Sequence, residues 1–150
     1  MNGTRVCIDT NVFLNVLNKE KEYHSYSREV LLAISRGDLE AIIPTLVISE
    51  VLTAFYIEKR KTDAEEFLAA IVTHEHMKVI PLSMDIAVSS AIVRAKTGLK
   101  LPDAMILATA IENRTNYIVS NDGNFPRSYE GVKTVKSIEM TKLMKGTVEA

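Results

Sequence analysis

The sequence predicts an α/β protein with a mostly parallel central sheet. Three observations carry this: strand-like apolar runs recur along the chain, helical patterns separate them, and 47% of the 150 residues are apolar, enough for a sizeable core. With 25% charged residues, no internal repeat and no linker-like stretch, a single domain over residues 1–150 is expected.

Residues 5–8 (RVCI) read as the first strand, ended by Asp9-Thr10-Asn11, and the following VFLNVLN has helical spacing. From about Ser25 to Gly37, Val30, Leu31 and Ile34 mark an amphipathic helix stopped by Gly37 and Asp38. Residues 40–43 (EAII) form a second strand closed by Pro44, and Thr45 is expected to cap a long helix reaching about Arg60. Thr62 and Glu65 have the spacing of a capping box, which predicts a helix through about Glu75 ahead of the strand-like KVIPL. Ser83 caps the next helix, which stops near Gly98. Pro102 then opens a helix whose positions from Ala104 to Ile111 are apolar except Thr109, so it is expected to be buried. The strand NYIVS, the turn-rich NDGNFPRS, a weaker strand KTV and a helix from Ser137 complete the order.

Composition excludes several functions. Lys and Arg number 18 against 19 acids, a net charge of −1, so nucleic-acid binding must come from local patches rather than a global field. The single cysteine, Cys7, rules out a disulfide framework and fits a reducing cytoplasm; its place in an apolar strand predicts a packed thiol. Of the three imidazoles, His24, His74 and His76, the last two would diverge on a helix, and they are expected to be structural or exposed. No run resembles an export signal or a membrane span, and neither a serine nucleophile elbow nor a Gly-rich phosphate loop is present.

In parallel sheets ligands bind beyond the carboxyl ends of the strands, and the polar residues predicted there are mainly acids. Asp9 ends the first strand, Asp122 follows the YIVS strand, and Glu50 lies in the second turn of the helix leaving EAII. Asp103 occupies the first turn of the helix before YIVS. That helix, about 20 Å long against about 13 Å for a four-residue strand, can return Asp103 to the same edge. Each acid alone has an ordinary explanation, as a helix cap, a turn residue or, for Asp103, a partner of the helix dipole. Together they would repel one another by up to about 4 kcal/mol per pair at about 4 Å and an effective dielectric of about 20. A divalent cation is the simplest neutraliser, and all-oxygen ligation selects Mg2+ or Mn2+ over zinc. Such an ion polarises a phosphoryl oxygen and activates a bound water, so phosphodiester hydrolysis is the implied chemistry. Setting these four of the 19 acids aside leaves 15 against 18 bases. Lys59, Arg60, Lys61, Arg94, Lys96 and Lys100 are the candidate phosphate contacts.

The segments IDTNVFLNVL, ISEVL, LPDAMILATAIE and YIVSNDGNF resemble, in that order, the motifs of PIN-domain ribonucleases. Over residues 5–140 the size and spacing look most like the VapC-type toxins of prokaryotic toxin–antitoxin pairs. The resemblance implies a PIN-like three-layer α/β/α fold and a metal-dependent endoribonuclease. Asp9, Glu50, Asp103 and Asp122 would hold Mg2+ or Mn2+, with Asn11 and Ser120 as polar supports. Asn124 stands where many family members carry a further acid, which weakens the case for a tightly held second metal. An RNA substrate, a homodimer and a cognate antitoxin protein are also implied. Apolar positions around Val51, Leu52, Phe55 and Tyr56, and within residues 84–95, exceed what one sheet face needs and fit either a dimer or the core. Three rival readings remain: a phosphohydrolase with Asp9 as covalent nucleophile, an inactive metal- or RNA-binding scaffold, and a housekeeping nuclease without antitoxin. The first is disfavoured by Asn11, where a second acid would be wanted.

Overall fold

Arg5–Ile8 forms the central strand β1, in which Val6, Cys7 and Ile8 are buried in succession, as a strand covered on both faces requires. The computed structural model describes residues 3–149, with side chains to residue 146; residues 1, 2 and 150 of the expected domain lie outside them. After β1 come α1 (Thr10–Leu17), α2 (His24–Ser35), β2 (Glu40–Pro44), α3 (Thr45–Ile57) and α4 (Lys61–Thr73). The chain continues through β3 (Met77–Ile80), α5 (Met84–Thr97), α6 (Leu101–Glu112), β4 (Tyr117–Val119), β5 (Ser128–Tyr129), β6 (Val132–Val135) and α7 (Ser137–Glu149).

The strands make one six-stranded sheet in the order β3-β2-β1-β4-β6-β5, parallel except for the β5–β6 pair, as the α/β expectation requires. Cys7 is in register with Ile42 on one side and Ile118 on the other. From β1 the chain builds outward to β2 and β3, then returns to place β4 and β6 on the opposite side. The direction therefore reverses between β1 and β4, which is where open α/β sheets bind ligands. For crossovers of the usual right hand, this strand order sets the helices before β3 on one face and α5 and α6 on the other. Helix α6 lies against β1, β2 and β4, with α5 packed along it, and α7 packs on α2. The predicted burial of α6 is observed, with Ala104 and Ile106 through Ala110 all in the core. No helix of the described residues is long and apolar enough to cross a membrane.

Several boundaries differ from the expectation. Thr45 is already helical, and the extended Pro44 (φ −62°, ψ 141°) serves as the N-cap of α3. Helix α4 likewise begins at Lys61, so Thr62 is no cap; its first turn is anchored instead by Arg60 Nε donating to Asp63 Oδ2 at 2.8 Å. Ser83 caps α5 as expected, its Oγ accepting from Ile86 N at 3.2 Å. Because α4 ends at Thr73, the two histidines leave the helix: His74 accepts from the backbone of His76 at 3.0 Å, and His76 Nδ1 lies 2.7 Å from Glu40. Their role is structural, as expected, although the helical premise was not met. Strand β5, two residues long, was not anticipated.

Candidate active site

Asp9 stands at the carboxyl end of β1 and caps α1, and its extended backbone (φ −76°, ψ 156°) leaves Oδ1 to accept from Thr10 N at 2.8 Å. Its other oxygen accepts from Ser120 Oγ at 2.7 Å and Asn11 Nδ2 at 2.9 Å. Only 4% of the residue is exposed, and burial pushes its pKa up to about 6, against the hydrogen bonds from Ser120 and Thr10 and aided by the charges of Asp122 and Asp103.

The remaining acids join through the same few side chains. Asn11 Nδ2 also reaches Asp122 Oδ2 at 3.2 Å and Ser120 Oγ at 3.1 Å, while Thr10 Oγ1 donates to Glu50 Oε1 at 2.8 Å. Asp122 is exposed on the loop after β4, where its Oδ1 accepts from the backbone of Asn124 at 3.2 Å. Asn124 thus supports the loop through its main chain. Asp103, in the first turn of α6, is held above the usual carboxylate range by burial, then by Asp122 and Glu50, with Lys100 opposing. The structure therefore brings Asp9, Glu50, Asp103 and Asp122 together at the reversal point of the sheet. Neutral amides and hydroxyls hold three of them. As placed, no three His, Cys, Asp or Glu side chains among the described residues could hold one ion between them.

Two contributors escaped the sequence reading. Thr10 ties Glu50 to the start of α1. Asn121 is buried, with its backbone N–H on Asn11 Oδ1 at 2.9 Å, so the Asn11 amide can present only its NH2 group to the carboxylates. The Asn121 side chain is itself saturated: Nδ2 donates to Asn15 and Ser27, and Oδ1 accepts both Ser137 N and Ser137 Oγ. Its position between Ser120 and Asp122 was the available signal.

The PIN domain profile matches residues 6–131, a span that includes all four acids. The chain belongs to the PIN-domain family. No curated protein matches this PIN domain in sequence. Solved structures share its fold. A toxin–antitoxin complex from Klebsiella pneumoniae is 24% identical with a TM-score of 0.67, covering 88% of this chain and 97% of that one. VapBC2 from Rickettsia felis, bound to a DNA fragment from its promoter, is 17% identical with a TM-score of 0.67, covering 89% and 100%. VapC20 from Mycobacterium tuberculosis, a Sarcin-Ricin loop cleaving toxin, is 14% identical with a TM-score of 0.62, covering 79% and 91%.

The basic residues singled out from the sequence are dispersed around this PIN domain. Lys100 is the N-cap of α6, beside Asp103, and Lys96 is exposed in the last turn of α5. Arg94 Nη1 donates to the carbonyl of Leu99 and closes the α5–α6 turn. Lys59, Arg60 and Lys61 lie at the far end of α3 from Thr45; Arg60 pairs with Asp63 and Glu58 and covers the Phe55 ring at 4.9 Å. Val51 and Phe55 are core residues, whereas Tyr56 and the α5 positions Met84, Val88 and Ile92 are exposed. Cys7 is buried, and burial pushes its thiol up, which makes it inert packing as expected.

Proposed function

We propose that this PIN domain is a divalent-metal-dependent endoribonuclease that hydrolyses RNA phosphodiester bonds in the cytoplasm, as the toxin of a toxin–antitoxin pair. The observation that carries the reading is the meeting of four carboxylates, drawn from β1, α3, α6 and the loop after β4, at the crevice of the sheet. Their oxygen donors fit Mg2+ or Mn2+. A magnesium ion keeps several waters and needs only one or two carboxylates directly, so the spread of these acids suits it. Asp9, Glu50, Asp103 and Asp122 would hold it, some of them through water. When bound, the ion supplies the charge that polarises a phosphoryl oxygen and acidifies a water. Ser120 and Asn11 keep one Asp9 oxygen fixed, Asn11 carries that constraint on to Asp122, and Thr10 restrains Glu50.

The test is cleavage of assorted RNAs by purified protein with Mg2+, Mn2+ or EDTA, alongside Asp9→Asn and Asp103→Asn. Cleavage with either ion, lost in EDTA and in both folded variants, is the expected result. Wild-type rates in both variants would sink the site assignment.

The toxin reading is supported by the neighbours, described as toxin–antitoxin complexes and as a toxin that cleaves an RNA loop. A cognate antitoxin that inserts an arginine would match the carboxylates bidentately and compete with the metal. Co-purification with a small partner, and loss of inhibition when that arginine becomes alanine, is the expected outcome. An active enzyme that is harmless without any partner would point to a housekeeping nuclease. We also propose a homodimer formed through the exposed apolar face of α5.

A further inference from the structure

The carboxyl edge of the sheet can be read in strand order. Glu50 follows β2, Asp9 follows β1 and Asp122 follows β4, so the acids occupy three adjacent positions. The next strand, β6, lies about 4.8 Å further on. There cations join the acids: Ser120 and Asp122 line an open cleft of about 340 Å3 together with Arg127, Thr134, Lys136 and Glu139. Both cations are exposed, and among the described residues neither forms an ion pair. Glu139 turns one oxygen to the backbone of Lys136 at 3.3 Å, where it caps the start of α7. A neighbouring groove, reaching toward the start of β4 and β6, shares Val135 and Glu139 with the cleft and adds Lys133 and Lys142.

We infer that this cleft is a phosphate-binding subsite, in which Arg127 and Lys136 take the backbone of a single-stranded RNA one nucleotide or more from the bond held at the acids. An arginine that is not already spent on a carboxylate offers a planar fork to a phosphate, and a lysine adds a point charge. By contrast, Arg60 and Arg94 are engaged within the fold. The subsite rests on the nuclease reading above, and it gives the RNA a direction: across the acids from β2 to β6.

Binding and cleavage separate the two ideas. Fluorescence polarisation of a labelled single-stranded RNA in Mg2+, with every protein carrying Asp103→Asn so that the RNA stays intact, tests the subsite directly. Adding Arg127→Ala and Lys136→Ala is expected to weaken binding about tenfold and to make the log–log salt dependence shallower by about 1.4, the effect of two lost phosphate contacts. Adding Glu139→Gln, which keeps an oxygen for the cap, is expected to tighten binding. An unchanged affinity and salt slope in the double alanine variant would overturn the subsite, even where the wild-type protein cuts RNA. Conversely, a wild-type protein that cuts no RNA would strike the nuclease reading, while the polarisation result still decides the cleft.

Discussion

Asp9 sits where burial and neighbouring negative charge both oppose its ionisation, and this sets a pH signature. Its pKa rises from 3.8 to about 6 in the folded protein. Between those values the folded protein keeps a proton that the unfolded chain has released, so metal-free stability falls as pH rises through the window and levels off above it. The contribution at pH 7 is destabilising by about 3 kcal/mol. Urea unfolding of EDTA-treated protein at steps from pH 4 to 7 should show this fall, and Asp9→Asn should remove its share; identical slopes in the two proteins would refute it. Because a bound dication favours the ionised acid, the Mn2+-induced rise in melting temperature should shrink as pH drops below about 6. The meeting of the four acids was legible from position, since each follows a strand or lies in the first two turns of a helix at one edge. Thr10 and Asn121 offered only their adjacency to Asp9 and Asp122 as a cue, because their roles are contacts across 40 and 110 residues of sequence.

At the scale of elements, local caps were readable and tertiary ones were not. Ser83 and Gly98 bracket α5 by side-chain and backbone chemistry within a few residues. Helix α7 is instead tied down by Asn121, which accepts from both Ser137 N and Ser137 Oγ across 16 residues, while α4 is started by the local but side-chain-to-side-chain pair of Arg60 and Asp63, which no capping rule names. A two-residue strand such as β5 has too few positions to show a period, and only its pairing with β6 defines it. Gly98 and Gly37 make the local rule testable. Both have positive φ, 74° and 81°, but a Cβ on Gly98 would meet nothing within 4 Å, whereas one on Gly37 would lie 2.8 Å from His76 Nε2. Gly98→Ala should therefore cost only the left-handed backbone penalty, about 1 kcal/mol, and Gly37→Ala should cost more by displacing the ring that His76 sets against Glu40. Denaturant midpoints at constant m-value check the order of the two, and equal losses would contradict it. Asn121→Ala should be costlier than Gly98→Ala, since it strands buried partners on α1, α2 and α7, each unsatisfied group costing about 1–3 kcal/mol.

For the whole molecule, the order of strands explains why one edge collects the acids: the reversal between β1 and β4 opens the crevice, and the residues following β1, β2 and β4 surround it. A parallel sheet with one shared carboxyl edge followed from alternating helices and strands; the strand order, and with it the place of the reversal, did not. Which apolar helix faces are covered did not follow either, because an apolar stripe looks the same in sequence whether the chain itself or a second copy buries it. The structure divides the two stretches expected to exceed the needs of one sheet face. Val51 and Phe55 of α3 and Ile86 and Val93 of α5 are interior; Tyr56 is exposed on α3, and on α5 Met84, Val88 and Ile92 recur every fourth residue with 78%, 54% and 50% exposure. Leu82 and Leu101, at either end of the helix, extend the exposed set. A stripe of this kind is self-complementary when two copies meet about a two-fold axis, since the same residues then serve both sides of the contact. Val88 lies midway, so Val88→Glu would set two buried charges against each other across that axis. Sedimentation velocity at micromolar concentration should give twice the 16.7 kDa chain mass for the wild type and the single-chain mass for Val88→Glu, with unchanged circular dichroism. A wild-type mass of one chain at every concentration would reject the dimer, and a variant that remained dimeric would move the interface away from α5.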